Sequence, residues 1–345
     1  MEIQRESIFV SVLRTFCRIF FGVCGFFLAI FIISLLYSTF STATSAQDKT
    51  TTNYLPDHNG TRDGISLTSP VILQLNIHGV IGEPKVLDSD VVQNILVESR
   101  SGILKDRVKG VLIHIASPGG TVVDSDNIYR MVMSYKERYK VPVFAYVDGL
   151  CASGGMYIAC SADQIYAGPS SIIGSVGVVI GPFFNVFETM GKIGVQARTL
   201  TQGLDKDMMN PTRAWKEGED ASLKAVTAYF YNQFVDLVVL RRPRMDKTKL
   251  IEEYGAQIYD PVLAQQYGYV DFANSSRDQA LLALVQEAKV DPTKTYQVVE
   301  LEPKNAWVSA LLSQSPLITG KIEHTMDFGV PKIRDQIAYL YQPLE

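Results

Sequence analysis

Two glycine-rich loops, Ser117-Pro118-Gly119-Gly120 and Gly149 to Gly155 (GLCASGG), each interrupt an apolar run and lead toward a segment of helical spacing. The runs are Val108–Ile115 (VKGVLIHI) and Val141–Val147 (VPVFAYV). The helical segments are Val122–Tyr139 and Met156–Ala162. An earlier pair, the strand-like Val71–Ile77 (VILQLNI) and the helical Asp88–Leu104, repeats the pattern. Strands alternating with helices imply βαβ units and a largely parallel sheet. Ligands usually bind at the loops beyond the strand ends of such sheets, so both glycine-rich loops are candidate site elements.

In the second loop Ser153 stands directly before Gly154-Gly155. A hydroxyl at the first turn of a helix meets unpaired N–H groups and the positive end of the helix dipole, which suits a nucleophile. The same features also describe a structural turn. A serine nucleophile needs a base within reach. The four histidines are His58, His78, His114 and His324, and none has a carboxylate partner visible in the sequence. A lysine kept neutral by burial is the other kind of base. Lys192 and Lys206 are the candidates, although Asp205 and Asp207 flank Lys206 and favour its charged form.

Around these loops the chain divides by composition. Arg5, Arg14 and Arg18 precede an apolar run with no charged residue from Ile19 to Tyr37, and no Lys or Arg follows until Lys49. About 20 apolar residues span a bilayer as a helix, and the arginines place the N-terminus inside. The expected organisation is a cytoplasmic segment 1–18, a transmembrane anchor 19–38, a flexible tether 39–69, a folded domain 70–290 and a C-terminal extension 291–345. Within the domain, Pro182–Thr201 reads as strand–helix–strand. Thr212–Arg241 reads as a long helix with Phe230, Phe234, Leu237 and Val238 on one face, and Asp260–Ala264 and Gln279–Ala288 as shorter helices. In the extension, Trp307, Leu311, Leu312 and Leu317 form an apolar patch.

A net charge of −4 offers no electrostatic case for nucleic acid as a partner. Cysteines 17 and 24 lie in the N-terminal part, and Cys151 and Cys160 lack a second pair at metal-ligand spacing. No metal and no cofactor are expected.

SPGG (117–120), ASGGMYIA (152–159), GSVGVVIG (174–181) and GLDKDMMNP (203–211) occur in this order. Together they resemble the short-form signal peptide peptidase A family, membrane-anchored serine proteases of bacteria, over about Pro70 to Ala283. The resemblance implies an α/β fold, the Clp protease/crotonase-like spiral of βαβ units, behind an N-terminal transmembrane helix. It implies a Ser-Lys dyad with Ser153 as nucleophile and Lys206 as general base. Ser175 would orient the lysine, and the N–H of Gly120 would be an oxyanion donor. The N–H of Gly154, at the helix start, is a second candidate donor on its position alone. The implied partners are apolar peptides, chiefly remnant signal peptides, and other copies in a homo-oligomeric ring in which Lys206 can serve Ser153 of a neighbour. The implied location is the bacterial inner membrane, with a single pass and a periplasmic catalytic domain. Three positions depart from the family pattern: Ala116 for an asparagine, Met156 for an aromatic and Asp205 for a tyrosine before the lysine. A non-catalytic peptide-binding ring protein and a crotonase-type acyl-CoA enzyme are the alternatives.

Overall fold

A computed structural model describes residues 20–22, 25, 28–32, 50–62 and 67–303, and the backbone of 338–340. The chain divides into two units, Met1–Lys49 and Thr50–Glu345. In the first, residues 20–22, 25 and 28–32 are helical, and the rest of the expected anchor lies outside the described residues. Among the described residues no helix is long and apolar enough to cross a membrane. The Trp307–Leu317 patch and His324 also lie outside them.

The second unit is built on β1 (Thr50–Leu55), β2 (Val71–His78), β3 (Val108–Ser117), β4 (Gly119–Thr121), β5 (Val143–Ala152), β6 (Gln164–Ala167), β7 (Ile172–Gly174), β8 (Ile258–Tyr259) and β9 (Gln297–Pro303). All but β4 share one sheet, in the order β1-β9-β2-β3-β5-β7-β8, with β6 also pairing β5. The central pairings, β9–β2, β2–β3, β3–β5, β5–β6 and β5–β7, are parallel. The antiparallel pairings are β1–β9 and β7–β8.

Helices cover both faces, which is why the central strands read as near-continuous apolar runs. Helix α1 (Ser89–Glu98) starts at Asp88, whose side chain accepts from the Val91 N–H; α2 (Val122–Tyr139) starts at Thr121, which accepts from the Asp124 N–H. Together with α3 (Gly154–Ala159) they bury Val92, Ile128, Val132 and Met156 in one core with Leu73, Leu75, Ile77, Ile113 and Ile115. The longer helical segments that follow among the described residues include α4 (Phe187–Lys192), α5 (Ala221–Arg241), α6 (Pro261–Tyr267) and α7 (Arg277–Glu287), with the short turns Lys247–Lys249 and Leu250–Tyr254 between α5 and α6. On the other sheet face, α7 packs Leu281 and Leu284 with Ile72, Leu112 and Phe144.

The structure differs from the expected organisation in three places. First, the tether and the extension both enter the sheet: Thr50–Leu55 pairs with Gln297–Pro303, Thr50 opposite Pro303 and Leu55 opposite Val298. The Thr-rich stretch read as solvated linker has the β-branched residues that fit a pleated surface, and Val298, Val299 and Leu301 give it a buried neighbour. Second, the strand–helix–strand passage at 182–201 contains only α4. Its apolar residues are spent outside this core, with Phe184 73%, Ile193 71% and Leu200 82% exposed. Third, the long helix begins at Ala221 rather than Thr212. The intervening residues hold a loop instead: Arg213 bonds Asp207, and the Trp215 indole N–H bonds the Asn210 carbonyl.

Ile113 is fully buried in the middle of β3. Ile113→Ala is expected to cost about 2–5 kcal/mol, read as a lowered midpoint in urea unfolding.

Candidate active site

Three loops leave the same end of the sheet. The β3–β5 register pairs Ser117 with Cys151, after a slip beyond Ile115, and the β5–β7 register pairs Ala152 with Gly174. Ser153 and Ser175, one residue beyond that last pair, are therefore neighbours at adjacent strand ends. The Ser153 N–H donates to the Gly174 carbonyl at 3.0 Å, and the Ser175 N–H to the Gln257 carbonyl at 2.7 Å.

Ser153 has φ 55° and ψ −116°, and Ser175 has φ 54°. Such backbone costs a non-glycine residue about 1–3 kcal/mol and concentrates at functional sites. The surroundings hold it in place: the Ser153 carbonyl accepts the Tyr157 N–H at 2.9 Å, opening α3. Ser153 is 1% exposed, and its Oγ has no hydrogen-bond partner among the described residues. A buried hydroxyl without a partner carries a desolvation cost of about 1–3 kcal/mol, so the position is not a satisfied structural turn.

The SPGG loop closes against this serine. Ile81 pairs with Gly120: the Ile81 N–H donates to the Gly119 carbonyl, and the Thr121 N–H to the Ile81 carbonyl, both at 2.9 Å. A Cβ on Gly120 would fall 1.8 Å from the Ile81 oxygen. A Cβ on Gly154 would fall 2.4 Å from Ser125 Oγ and 3.2 Å from the Gly120 nitrogen. Glycine is needed at Gly120 because the Ile81 backbone lies against it and at Gly154 because the Ser125 hydroxyl does, and the approach of Gly154 to the Gly120 nitrogen brings the two to the same corner. Ser117 organises the turn, its Oγ donating to the Gly79 carbonyl at 2.7 Å and accepting the Gly119 N–H at 3.1 Å. Sequence reasoning missed this role.

Strand β10 (Ala338–Leu340) lies on β4, antiparallel, with Tyr339 opposite Gly120 and Leu340 opposite Gly119. It also packs on α2 and α3. The edge beside Ser153 thus accepts an extended backbone. Just beyond Ser175 a groove of about 580 Å³ opens, lined by Val178, Val179, Phe183, Leu223 and Tyr231.

Lys206 is not brought to these groups. It is exposed in the loop 203–210, and its ammonium makes no hydrogen bond or ion pair among the described residues. Lys192 is exposed in the last turn of α4. Of the histidines, His58 stacks on Tyr296, its Nδ1 2.6 Å from the phenol oxygen. His78 and His114 meet edge to face, and His114 Nε2 lies 3.7 Å from Asp148, a carboxylate neighbour not evident in the sequence. Burial, helped by the His78 ring, pulls His114 down to about 4. Neither ring bonds Ser153. Cys151 and Cys160 are buried and unpaired; burial pushes the first thiol up and the second to about 12, so neither is an available thiolate. Among the described residues no group of three or more His, Cys, Asp or Glu could hold a metal ion.

The parallel βαβ core with converging loops is an α/β fold of the Clp protease kind, and residues 87–173 match the Clp protease family. Residues 136–291 match peptidase family S49. A protein named as a protease in Synechocystis sp. is 30% identical over 227 residues, 64% of this chain and 80% of that protein. The chain belongs to peptidase family S49. A protein of Enterococcus faecium named as a signal peptide peptidase SppA is 33% identical over 64% of each chain. A 149-residue stretch is 38% identical to part of a Brucella melitensis protein named Na(+)/H(+) antiporter NhaA, and covers 42% of this chain and 20% of that one. The chain thus spans less than two thirds of the Enterococcus and Brucella proteins.

Gly120→Ala forces the Ile81 backbone to move. Overpacking of this kind costs about 1–3 kcal/mol, so a lower thermal midpoint than wild type is expected in a calorimetric or circular-dichroism melt.

Proposed function

We propose that the chain is a membrane-anchored serine endopeptidase that degrades remnant signal peptides and other apolar peptides with a Ser-Lys dyad. The observation that carries this reading is the buried, strained Ser153, whose Oγ lacks a partner, beside an edge that takes an extended strand. Backbone pairing to a strand edge is a general way to hold an extended peptide, with side-chain pockets adding selectivity; here β10 lies along that edge. The apolar groove beyond Ser175 suits apolar side chains. Membership of family S49 supports the peptidase chemistry.

In this reading neutral Lys206 takes the proton of Ser153 as Oγ attacks the peptide carbonyl. It then gives that proton to the leaving amine, and water releases the acyl-enzyme. Ser175 orients the lysine amine. Gly120 and Gly154 offer N–H groups to the oxyanion, where loss of one donor typically costs about 10²–10³ in rate.

Within one chain Lys206 is exposed while Ser153 is buried, so the dyad is completed by Lys206 of a second copy. The exposed Phe184, Ile193, Leu200 and Leu204 on the approach to Lys206 supply an apolar contact surface for that copy, and a ring of copies follows. The apolar run 19–38 anchors the body at the bacterial inner membrane, on the periplasmic side, near peptides left in the bilayer.

The test is hydrolysis of a fluorogenic apolar peptide by the full chain in detergent. Ser153→Ala and Lys206→Ala are each expected to lower kcat by roughly 10²–10⁴, with an acylating probe labelling only Ser153. Co-assembled Ser153→Ala and Lys206→Ala chains are expected to regain part of the activity, because some interfaces pair an intact serine with an intact lysine. Full activity in either single variant overturns the dyad, and no recovery on mixing overturns its sharing between copies. Wild-type activity is expected to rise with pH as the base loses its proton; a flat alkaline profile counts against lysine.

A further inference from the structure

The lysine proposed as base stands between two aspartates, an arrangement that ordinarily holds an ammonium charged. In the surrounding loop the Asp207 carboxylate is engaged by Arg213. Arg213 Nε donates to Asp207 Oδ2 at 2.7 Å, and its Nη2 bonds the Asp207 carbonyl at 2.8 Å while pairing with Glu219 Oε2 at 2.7 Å. Arg213 Nη1 donates to the Ala214 carbonyl at 2.9 Å, so all three guanidinium nitrogens are engaged. The Glu219 side chain is 2% exposed and its other oxygen accepts the Met209 N–H at 3.3 Å, tying the clamp to the far end of the lysine loop. Asp205 Oδ1 faces Lys216 at 4.0 Å, and Asp220 is held by Lys224 at 2.8 Å. Glu217 is exposed.

We infer that Arg213 is a positioning residue for catalysis: it draws the Asp207 carboxylate away from Lys206 and so keeps the neighbouring ammonium unpaired and able to give up its proton. The inference rests on Lys206 being the base. Only a fork of fixed donors can take one carboxylate, its own backbone carbonyl and a second buried carboxylate together. Arg213 also holds the Asp207 and Glu219 carboxyls below their usual range through these bonds, so both stay ionised and committed to it. The sequence Asp205-Lys206-Asp207 then becomes compatible with a proton-accepting lysine, whichever copy's serine it serves.

The test is the pH profile of kcat for the full chain in detergent, with the fluorogenic apolar peptide, in wild type, Arg213→Met, Arg213→Met/Asp207→Asn and Lys206→Ala. In Arg213→Met the freed Asp207 carboxylate pairs with Lys206. An opposite charge at such range moves a titration by about 1–3 units. The rising limb is therefore expected to move to higher pH by at least about one unit, lowering the neutral-pH rate about tenfold per unit while KM and the high-pH plateau are kept. The double variant is expected to return the limb to its wild-type position, which a merely structural arginine would not allow. An unmoved limb in folded Arg213→Met, or a shifted limb that the double variant fails to restore, overturns the inference. Inert Lys206→Ala beside an unmoved Arg213→Met overturns the inference alone, whereas fully active Lys206→Ala overturns the base itself. Should Arg213→Met melt, Arg213→Lys carries the test. One ammonium cannot hold all these acceptors, so its limb moves the same way by a smaller step, and an unmoved limb again overturns the inference.

Discussion

Everything at the candidate site depends on β5 being paired in parallel between β3 and β7. That pairing is what delivers the ends of three strands to one place, Ser117 beside Cys151 and Ala152 beside Gly174. A slip of one residue would turn each strand's buried side chains to the opposite face. Ile113, Ile115, Ala145 and Val147 on one face and Leu112, Phe144 and Tyr146 on the other exclude such a slip, because core packing on both faces admits one register. The hydrophobic interior thereby sets the site's geometry as well as the stability of the sheet.

At the strand ends, backbone contact takes over from side-chain packing. Ile81, Gly120 and Gly154 approach so closely that a single methyl at either glycine meets backbone or the Ser125 hydroxyl. This closeness leaves Ser153 buried, at positive φ and without a partner for its Oγ. The energetic cost of that arrangement is met by the surrounding hydrogen bonds, among them Ser153 to Gly174, Tyr157 to Ser153 and Ser117 to Gly79. The lysine loop is organised differently, by ion pairs at an exposed surface around Arg213, and it lies on a segment whose apolar residues face away from this chain's core. The loop carrying Ser153 is held by contacts within one chain, while Lys206 is exposed on its loop.

Much of this was legible in the residues. The apolar runs located β2, β3 and β5, and the glycine-rich loops fell at their ends because strand and turn chemistry are local. Val122–Tyr139 is helical over the span its spacing suggested, between Thr121 as a side-chain cap and Lys140 in left-handed backbone. Where local pattern failed, a distant partner decided. Thr50–Leu55 is a strand because β9 lies beside it, 243 to 253 residues away in the register. Phe184 and Leu200 look like strand residues but have no place in this sheet. His114 gained its Asp148 neighbour only through the β3–β5 pairing.

What the sequence by itself determined is the set of chemical groups and the local shapes that present them: a serine before two glycines, a lysine between two aspartates, and strands too apolar to be anything but buried. Only the tertiary structure decided which of those groups meet. Gly120 and Gly154 share a corner, Ser153 and Ser175 stand side by side, and Arg213 pairs with Asp207 and Glu219. The physical reason is that periodicity and turn chemistry act over a few neighbouring residues, whereas register, close backbone approach and ion-pair choice are settled among residues far apart in the chain, once the core has fixed where each strand ends.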